Sequence, residues 1–291
     1  MPNRRRVPRT ARDQRRRELA QNFLVDPEEI EDLVGAAKIE STDLVVDLGA
    51  GRGAITAVLA KRGARVIAVE LDPDWASQLE RQFRGESRVE VRCADALTTP
   101  LPLEPFAVVA NLPFNLTSRL VRRILGEGHG FKGGVLLVQR EAGMRLSGAR
   151  QATVQSLVWA PWFELRIGES IPADAFRPRP SVSAVMLHMT PRSPAWLSPA
   201  VFEMYRQFIH ACFEARGQTV GAKMRHVLGR QATATALGLA SVPANANPGD
   251  LSPQDWVRAY RSAETFGAPV FRRQKANRSG GQRAGKRRPE T

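Results

Sequence analysis

Residues 111–114 read Asn-Leu-Pro-Phe and close an apolar run, Phe106-Ala107-Val108-Val109-Ala110. An exocyclic amine on a nucleobase is a poor nucleophile because its lone pair is delocalised into the ring. The side-chain oxygen of Asn111 and the backbone carbonyl of Leu112 together could accept both of its N–H bonds. That would draw the nitrogen towards a tetrahedral geometry and aim its lone pair. Pro113 stiffens the turn and brings no N–H of its own. Phe114 offers a flat face for an extruded base. The same four residues also make an ordinary strand-ending turn, so the rest of the chain must decide.

A second cluster follows the strand predicted at 44–48, which ends in Asp47-Leu48-Gly49-Ala50-Gly51-Arg52-Gly53. Gly49, Gly51 and Gly53 allow a sharp turn and a close backbone approach to a ligand at a helix start. Nineteen residues beyond Gly51 lies Glu70, at the end of the next strand, where a carboxylate can take both hydroxyls of a ribose. The dinucleotide fingerprint uses the same parts, and a nicotinamide enzyme remains an alternative. Asp47 would crowd a pyrophosphate but suits a cationic amino acid and a sulfonium. Asp95, in Cys93-Ala94-Asp95-Ala96-Leu97, is placed to accept from an adenine amino group. Three acids at successive strand ends match the parts of S-adenosylmethionine.

The elements needed to hold these residues are visible in the pattern. Apolar strands at 44–48, 66–70, 88–92, 106–110 and 134–138 alternate with helical stretches near 54–62, 74–84, 117–125 and 140–147. This predicts a doubly wound parallel sheet. Strands near 163–168 and 182–189 look like a hairpin-type addition at its edge. Ser198-Pro199 and Ser252-Pro253 read as N-cap and N1 proline, with helices near 199–215, 219–229 and 253–265. The expected organisation is a disordered basic tail over 1–17, a Rossmann-like domain over 18–190, a helical domain over 191–268 and a second disordered basic tail over 269–291.

Charge is distributed with the same asymmetry. Residues 1–17 hold eight Arg and one Asp, and residues 272–291 hold six Arg and two Lys against one Glu. The ends therefore carry the whole net charge of +14, and the stretch between them is neutral. Flexible polycations bind phosphate backbones by counterion release without reading sequence. Solubility alone is the plainer explanation, but the Asn111–Phe114 motif independently calls for a nucleobase, which favours nucleic-acid binding. Cys93 and Cys212, far apart, fit a reduced cytosol, and the four scattered histidines (129, 188, 210 and 226) give no metal spacing. No apolar run reaches the length of a membrane span or a signal peptide, so a cytoplasmic protein is expected.

Six ordered motifs carry a resemblance: Gln21-Asn22-Phe23-Leu24 with Asp26-Pro27, Asp47–Gly53, Val69-Glu70-Leu71-Asp72, Ala94-Asp95-Ala96, Asn111–Phe114 and Phe176-Arg177-Pro178-Arg179-Pro180-Ser181-Val182. Over about residues 15–265 the chain resembles the rRNA adenine N6-methyltransferases. The resemblance implies an α/β fold: a Rossmann-like S-adenosylmethionine-dependent methyltransferase domain with a small all-helical C-terminal domain that binds RNA. It implies that Gln21 and Asn22 hold the methionine end of the cofactor, with Leu24 in the same motif and Gly49 passing close by. Glu70 would hold the ribose, and Asp95 and Ala96 the adenine. Asn111 and Leu112 would orient the target amine, with Phe114 and Phe176 sandwiching the flipped base. No metal is implied, and a monomer is expected.

Two branches of that family compete. One dimethylates adjacent adenines near the 3′ end of 16S rRNA. The Erm branch methylates one adenine in the peptidyl-transferase loop of 23S rRNA and confers macrolide, lincosamide and streptogramin B resistance. The Arg-rich head at 12–17, Phe rather than Tyr at 114, Trp159-Ala160-Pro161-Trp162, the segment 139–148 and the Gly/Arg tail at 278–288 resemble the Erm branch. The implied partner is 23S rRNA, protein-free or assembling. A non-catalytic RNA-binding or ribosome-assembly factor on the same fold is a further alternative.

Overall fold

The computed structural model describes residues 22–127 and 130–265. Both basic tails, and Gln21 with them, lie outside the described residues. A two-residue strand β1 (Phe23–Leu24) leads into α1 (Pro27–Ala36). Asp26 caps that helix, its side chain accepting from the backbone N–H groups of Glu28 and Glu29, and Pro27 sits where a missing N–H does no harm.

A seven-stranded sheet follows. Its parallel part comprises β2 (Leu44–Leu48), β3 (Arg65–Glu70), β4 (Val89–Cys93), β5 (Phe106–Asn111) and β6 (Phe131–Gln139). The crossovers contain α2 (Ala54–Lys61), α3 (Pro73–Gln82) and α4 (Thr117–Glu127). All five residues of β2 are buried, as expected of a strand covered on both faces. After β6 come α5 (Arg140–Ser147), α6 (Val154–Trp159), β7 (Phe163–Ile171), the short β8 (Phe176–Arg177) and β9 (Ala184–Pro191). The order across the sheet is β4-β3-β2-β5-β6-β9-β7, with β9 antiparallel to both neighbours. The two late strands thus pair antiparallel, but the second of them inserts beside β6 and leaves β7 at the edge.

Strand order reverses at β2, whose neighbours are β3 and β5. In open α/β sheets a ligand crevice forms outside the carboxyl ends of the strands at such a reversal. Glu70 and Asn111 are the last residues of β3 and β5, and the glycine turn follows β2, so the topology gathers the sequence motifs at this point.

Four helices complete the described chain: α7 (Phe202–Glu214), α8 (Val220–Leu228), α9 (Arg230–Ala240) and α10 (Pro253–Thr265). Tyr205, Phe208, Trp256 and Tyr260 fill their centre, with Tyr205 and Tyr260 edge to face at 5.2 Å. Ser252 and Asp255 cap α10 reciprocally, each accepting from the other's backbone N–H. The helices are not a separate core. Phe202 stacks on Trp159 at 5.1 Å and meets Trp162 edge-on at 5.2 Å, joining one buried cluster that runs from the sheet into the helices.

Candidate active site

The glycine turn is built from three residues in the left-handed region, with φ of 81° at Gly49, 55° at Gly51 and 77° at Gly53. Their reasons differ. A Cβ on Gly51 would lie 2.6 Å from the Phe23 ring, and one on Gly53 would lie 2.5 Å from Leu79. Those two glycines serve packing, and neither lines the cavity described below, contrary to the expectation that the whole turn approaches a ligand. Gly49 does line it, facing Pro113. The turn in turn fixes Glu70. One carboxylate oxygen accepts from the N–H of Gly51 and the other from the N–H of Asp72, each at 2.8 Å. Burial pushes the Glu70 carboxyl upward, and these backbone donors work against the shift.

Asp47 does not occupy the place expected for it. The residue is 1 % exposed, and its Oδ2 accepts from the hydroxyl of Thr56 on α2 at 2.7 Å. Strand alternation and that helical contact put the carboxyl on the face of the sheet that α2 covers, behind the glycine turn rather than in the cavity. Desolvation, with a contribution from the charge on Glu70, pushes its pKa up to about 7. A direct hold on the cationic end of a ligand is therefore replaced by a buried acid bracing the turn.

Asn111 ends β5, and the chain turns at once into α4, with the Leu116 N–H donating to the Pro113 carbonyl. The Asn111 Nδ2 donates to the backbone carbonyl of Asn22 at 2.7 Å. A carbonyl only accepts, so this bond assigns the amide's two ends. The Oδ1 is buried and has no hydrogen-bond partner among the described residues. Such an atom is unfavourable by about 1–3 kcal/mol unless a donor arrives. Asn22 thus enters the site through its backbone, and Phe23 beside it is wedged against Trp75 and the glycine turn.

The expected aromatic sandwich is not presented. Phe176 is fully buried, opposite Leu24 in the two-stranded antiparallel ladder of β1 and β8, and belongs to a core cluster that contains Leu24 and Ile30. It anchors the N-terminal segment, and Leu24 likewise packs in the core rather than lining the cavity. Phe114 is half-buried and packs against that same cluster. Leu112 is 1 % exposed, its side chain in the core and its N–H donating to the Leu137 carbonyl.

The loop after β4 supplies the last wall. Asp95 accepts from the Leu97 N–H at 2.8 Å through its side chain, and its own carbonyl accepts from Thr98 and Thr99. Spacing arguments passed over Asn115, Leu116 and Arg119, which also line the cavity from the turn and first part of α4. Arg119 lies in the first turn of α4, which follows the motif directly, so its closeness to Asn111–Phe114 in the sequence was the available signal.

Together these groups surround a cavity of about 310 Å³, bounded by Asn22, Gly49, Glu70, Asp95, Asn111 and Pro113. A bare backbone at Gly49 and the carboxylates of Glu70 and Asp95 fit an adenosyl amino acid, and the unpaired Asn111 oxygen is an acceptor left over for an amine. The arrangement defines an S-adenosylmethionine-dependent methyltransferase.

Comparison with known proteins narrows the class. A model of the family described as ribosomal RNA adenine dimethylase matches residues 12–265, and the chain belongs to that family. It is 32 % identical over 260 residues to the mycinamicin-resistance protein MyrB of Micromonospora griseorubida, covering 88 % of this chain and 83 % of that one. It is 34 % identical over 204 residues to a probable ribosomal RNA small subunit methyltransferase A of Methanosarcina mazei, covering 67 % and 72 %. Among solved structures, that of the 23S rRNA methyltransferase ErmE superposes with a TM-score of 0.75 at 28 % identity, covering 84 % of this chain and all of that one. The protein is an rRNA adenine N6-methyltransferase.

Proposed function

We propose that the chain methylates N6 of one adenine in the peptidyl-transferase loop of 23S rRNA and thereby confers resistance to macrolide-type antibiotics. The observation that carries the amine chemistry is the buried, unpaired Oδ1 of Asn111. Asn22 holds the other end of that amide, so the acceptor is pre-aimed before substrate enters. Bound in the cavity, S-adenosylmethionine supplies a methyl group already electrophilic on a sulfonium. Glu70 takes the ribose, Asp95 and Ala96 the adenine ring, and Asn22 and Gly49 border the methionine end, where Gln21 would join them. Asn111 and the Leu112 carbonyl accept from the target amine and free its lone pair, and water takes the proton afterwards. The protein therefore contributes positioning rather than a shifted base.

The choice of 23S over 16S is supported by the Erm-like motifs, by Phe114, and by the names of MyrB and ErmE. The Methanosarcina relative supports the small-subunit alternative. A groove of about 860 Å³ between α4, α6 and α7 carries Arg119, Arg122, Arg123, Arg206 and His210 against Glu127 and Glu203, the latter paired with Arg206. Arg119 lines both this groove and the cavity. We assign this groove to the RNA backbone, which basic side chains bind without reading sequence. Expression in a macrolide-sensitive bacterium tests the proposal. Wild type should raise macrolide tolerance and Asn111→Ala should not. Sensitivity unchanged by an expressed, folded wild type would refute the resistance role.

A further inference from the structure

Arg123 lies on α4, outside the six sequence motifs. Its side chain is only 10 % exposed, yet its sole ion-pair partner among the described residues is Glu127, at 3.1 Å and itself 67 % exposed. An ion pair so open to solvent offsets little of the penalty for burying a guanidinium. The main partners are backbone oxygens: Nη1 donates to the Ala96 carbonyl at 2.6 Å, and Nη2 donates to the Thr99 carbonyl. Both carbonyls belong to the loop after β4 that carries Asp95. The loop is also tied to β3 by the Ala94 N–H, which donates to the Glu70 carbonyl, and Ala94, Ala96 and Leu97 pack on the core. The bonds of Asp95 to Leu97, Thr98 and Thr99 are a local turn that leaves the loop's orientation to Arg123.

We infer that Arg123 is a positioning residue that fastens the Asp95–Thr99 loop to α4, the helix that follows the Asn111–Phe114 motif, so that the loop reads the adenine ring of the cofactor in a fixed register with the target-amine site. Two carbonyls about three residues apart, held by one planar fork, define the loop's orientation as well as its distance. Lysine could satisfy one of them but not span both. This rests on the proposal that Asp95 and Ala96 hold the adenine, and the test separates the two ideas.

The readout is ligand preference rather than turnover. Full-length protein is titrated calorimetrically with S-adenosylhomocysteine and with S-inosylhomocysteine, in which a carbonyl replaces the adenine 6-amino group. Wild type should prefer the adenosyl ligand by roughly tenfold, the scale of one well-aimed hydrogen bond to a charged group. Arg123→Gln should lose that preference, whereas a variant merely loosened elsewhere would weaken for both ligands alike. If the Gln variant does not fold, Arg123→Lys serves and should lose part of the preference. A folded variant that keeps the full wild-type preference, while Asp95→Ala abolishes it, overturns the role of Arg123 alone. If Asp95→Ala also keeps the preference, the adenine assignment of the loop fails, and the inference with it.

Discussion

At the scale of single residues, the site leaves the Asn111 acceptor unsatisfied and buries two acids, Asp47 and Glu70. Asn111→Ala removes the acceptor whose bonds matter most when the amine nitrogen becomes tetrahedral. Turnover should fall by a factor of about a hundred or more while S-adenosylhomocysteine affinity changes little, as single-turnover kinetics and calorimetry would read. Comparable turnover would remove Asn111 from the mechanism. Asp47 predicts a pH effect. Its carboxyl is raised from 3.8 to about 7 in the folded protein, so between those values the fold binds a proton that the unfolded chain has released. Its contribution to stability is complete below about pH 4 and is lost as pH rises through 7, an effect of about 4 kcal/mol at most. Asp47→Asn should therefore flatten the decline of urea stability across that window, whatever its absolute stability. A slope equal to wild type would contradict the buried-acid reading. The sequence showed where Glu70 and Asn111 sit, because they end the two strands that flank β2 at the reversal of strand order, and it placed Asp95 just beyond the neighbouring strand β4. It misled on Asp47, whose side of the strand is the one that α2 covers. Phe176 by itself reads as core, and only the family resemblance placed it against the base.

At the scale of elements, continuous apolar runs located the parallel strands to within a few residues, since interior strands are buried on both faces. Three helices escaped. The N-terminal α1 carries the same acid-or-hydroxyl cap followed by proline that identified α10, and Asp26-Pro27 could have been read the same way. In α9 the buried face is Thr233, Ala236, Leu237 and Ala240, correctly spaced but too small to stand out as apolar periodicity. The short α6 has only six residues, yet it brings Trp159 against Phe202, with Trp162 just beyond it. That aromatic junction ties the helical part to the sheet. Trp162→Ala should destabilise the protein by about 3–5 kcal/mol in equilibrium unfolding. A change below about 1 kcal/mol, within the range of ordinary surface substitutions, would mean that the junction is not a shared core.

At the scale of the whole molecule, a neutral body lies between two strongly basic ends. Removing residues 1–14 and 272–291 should leave cofactor binding intact and weaken rRNA binding. The plot of log affinity against log salt should become shallower, because deleted cations no longer release counterions. An unchanged slope would place the RNA surface entirely within 15–271. The choice of methylated base should survive the truncation, since phosphate contacts position the protein without reading bases. The most direct test of the account is radiolabelled methyl transfer from S-adenosylmethionine to protein-free 23S and 16S rRNA, with the modified base mapped by primer extension. The account predicts label at one adenine of the 23S peptidyl-transferase loop with wild type and none with Asn111→Ala. Label on adjacent adenines near the 3′ end of 16S rRNA, or on neither RNA, would contradict it.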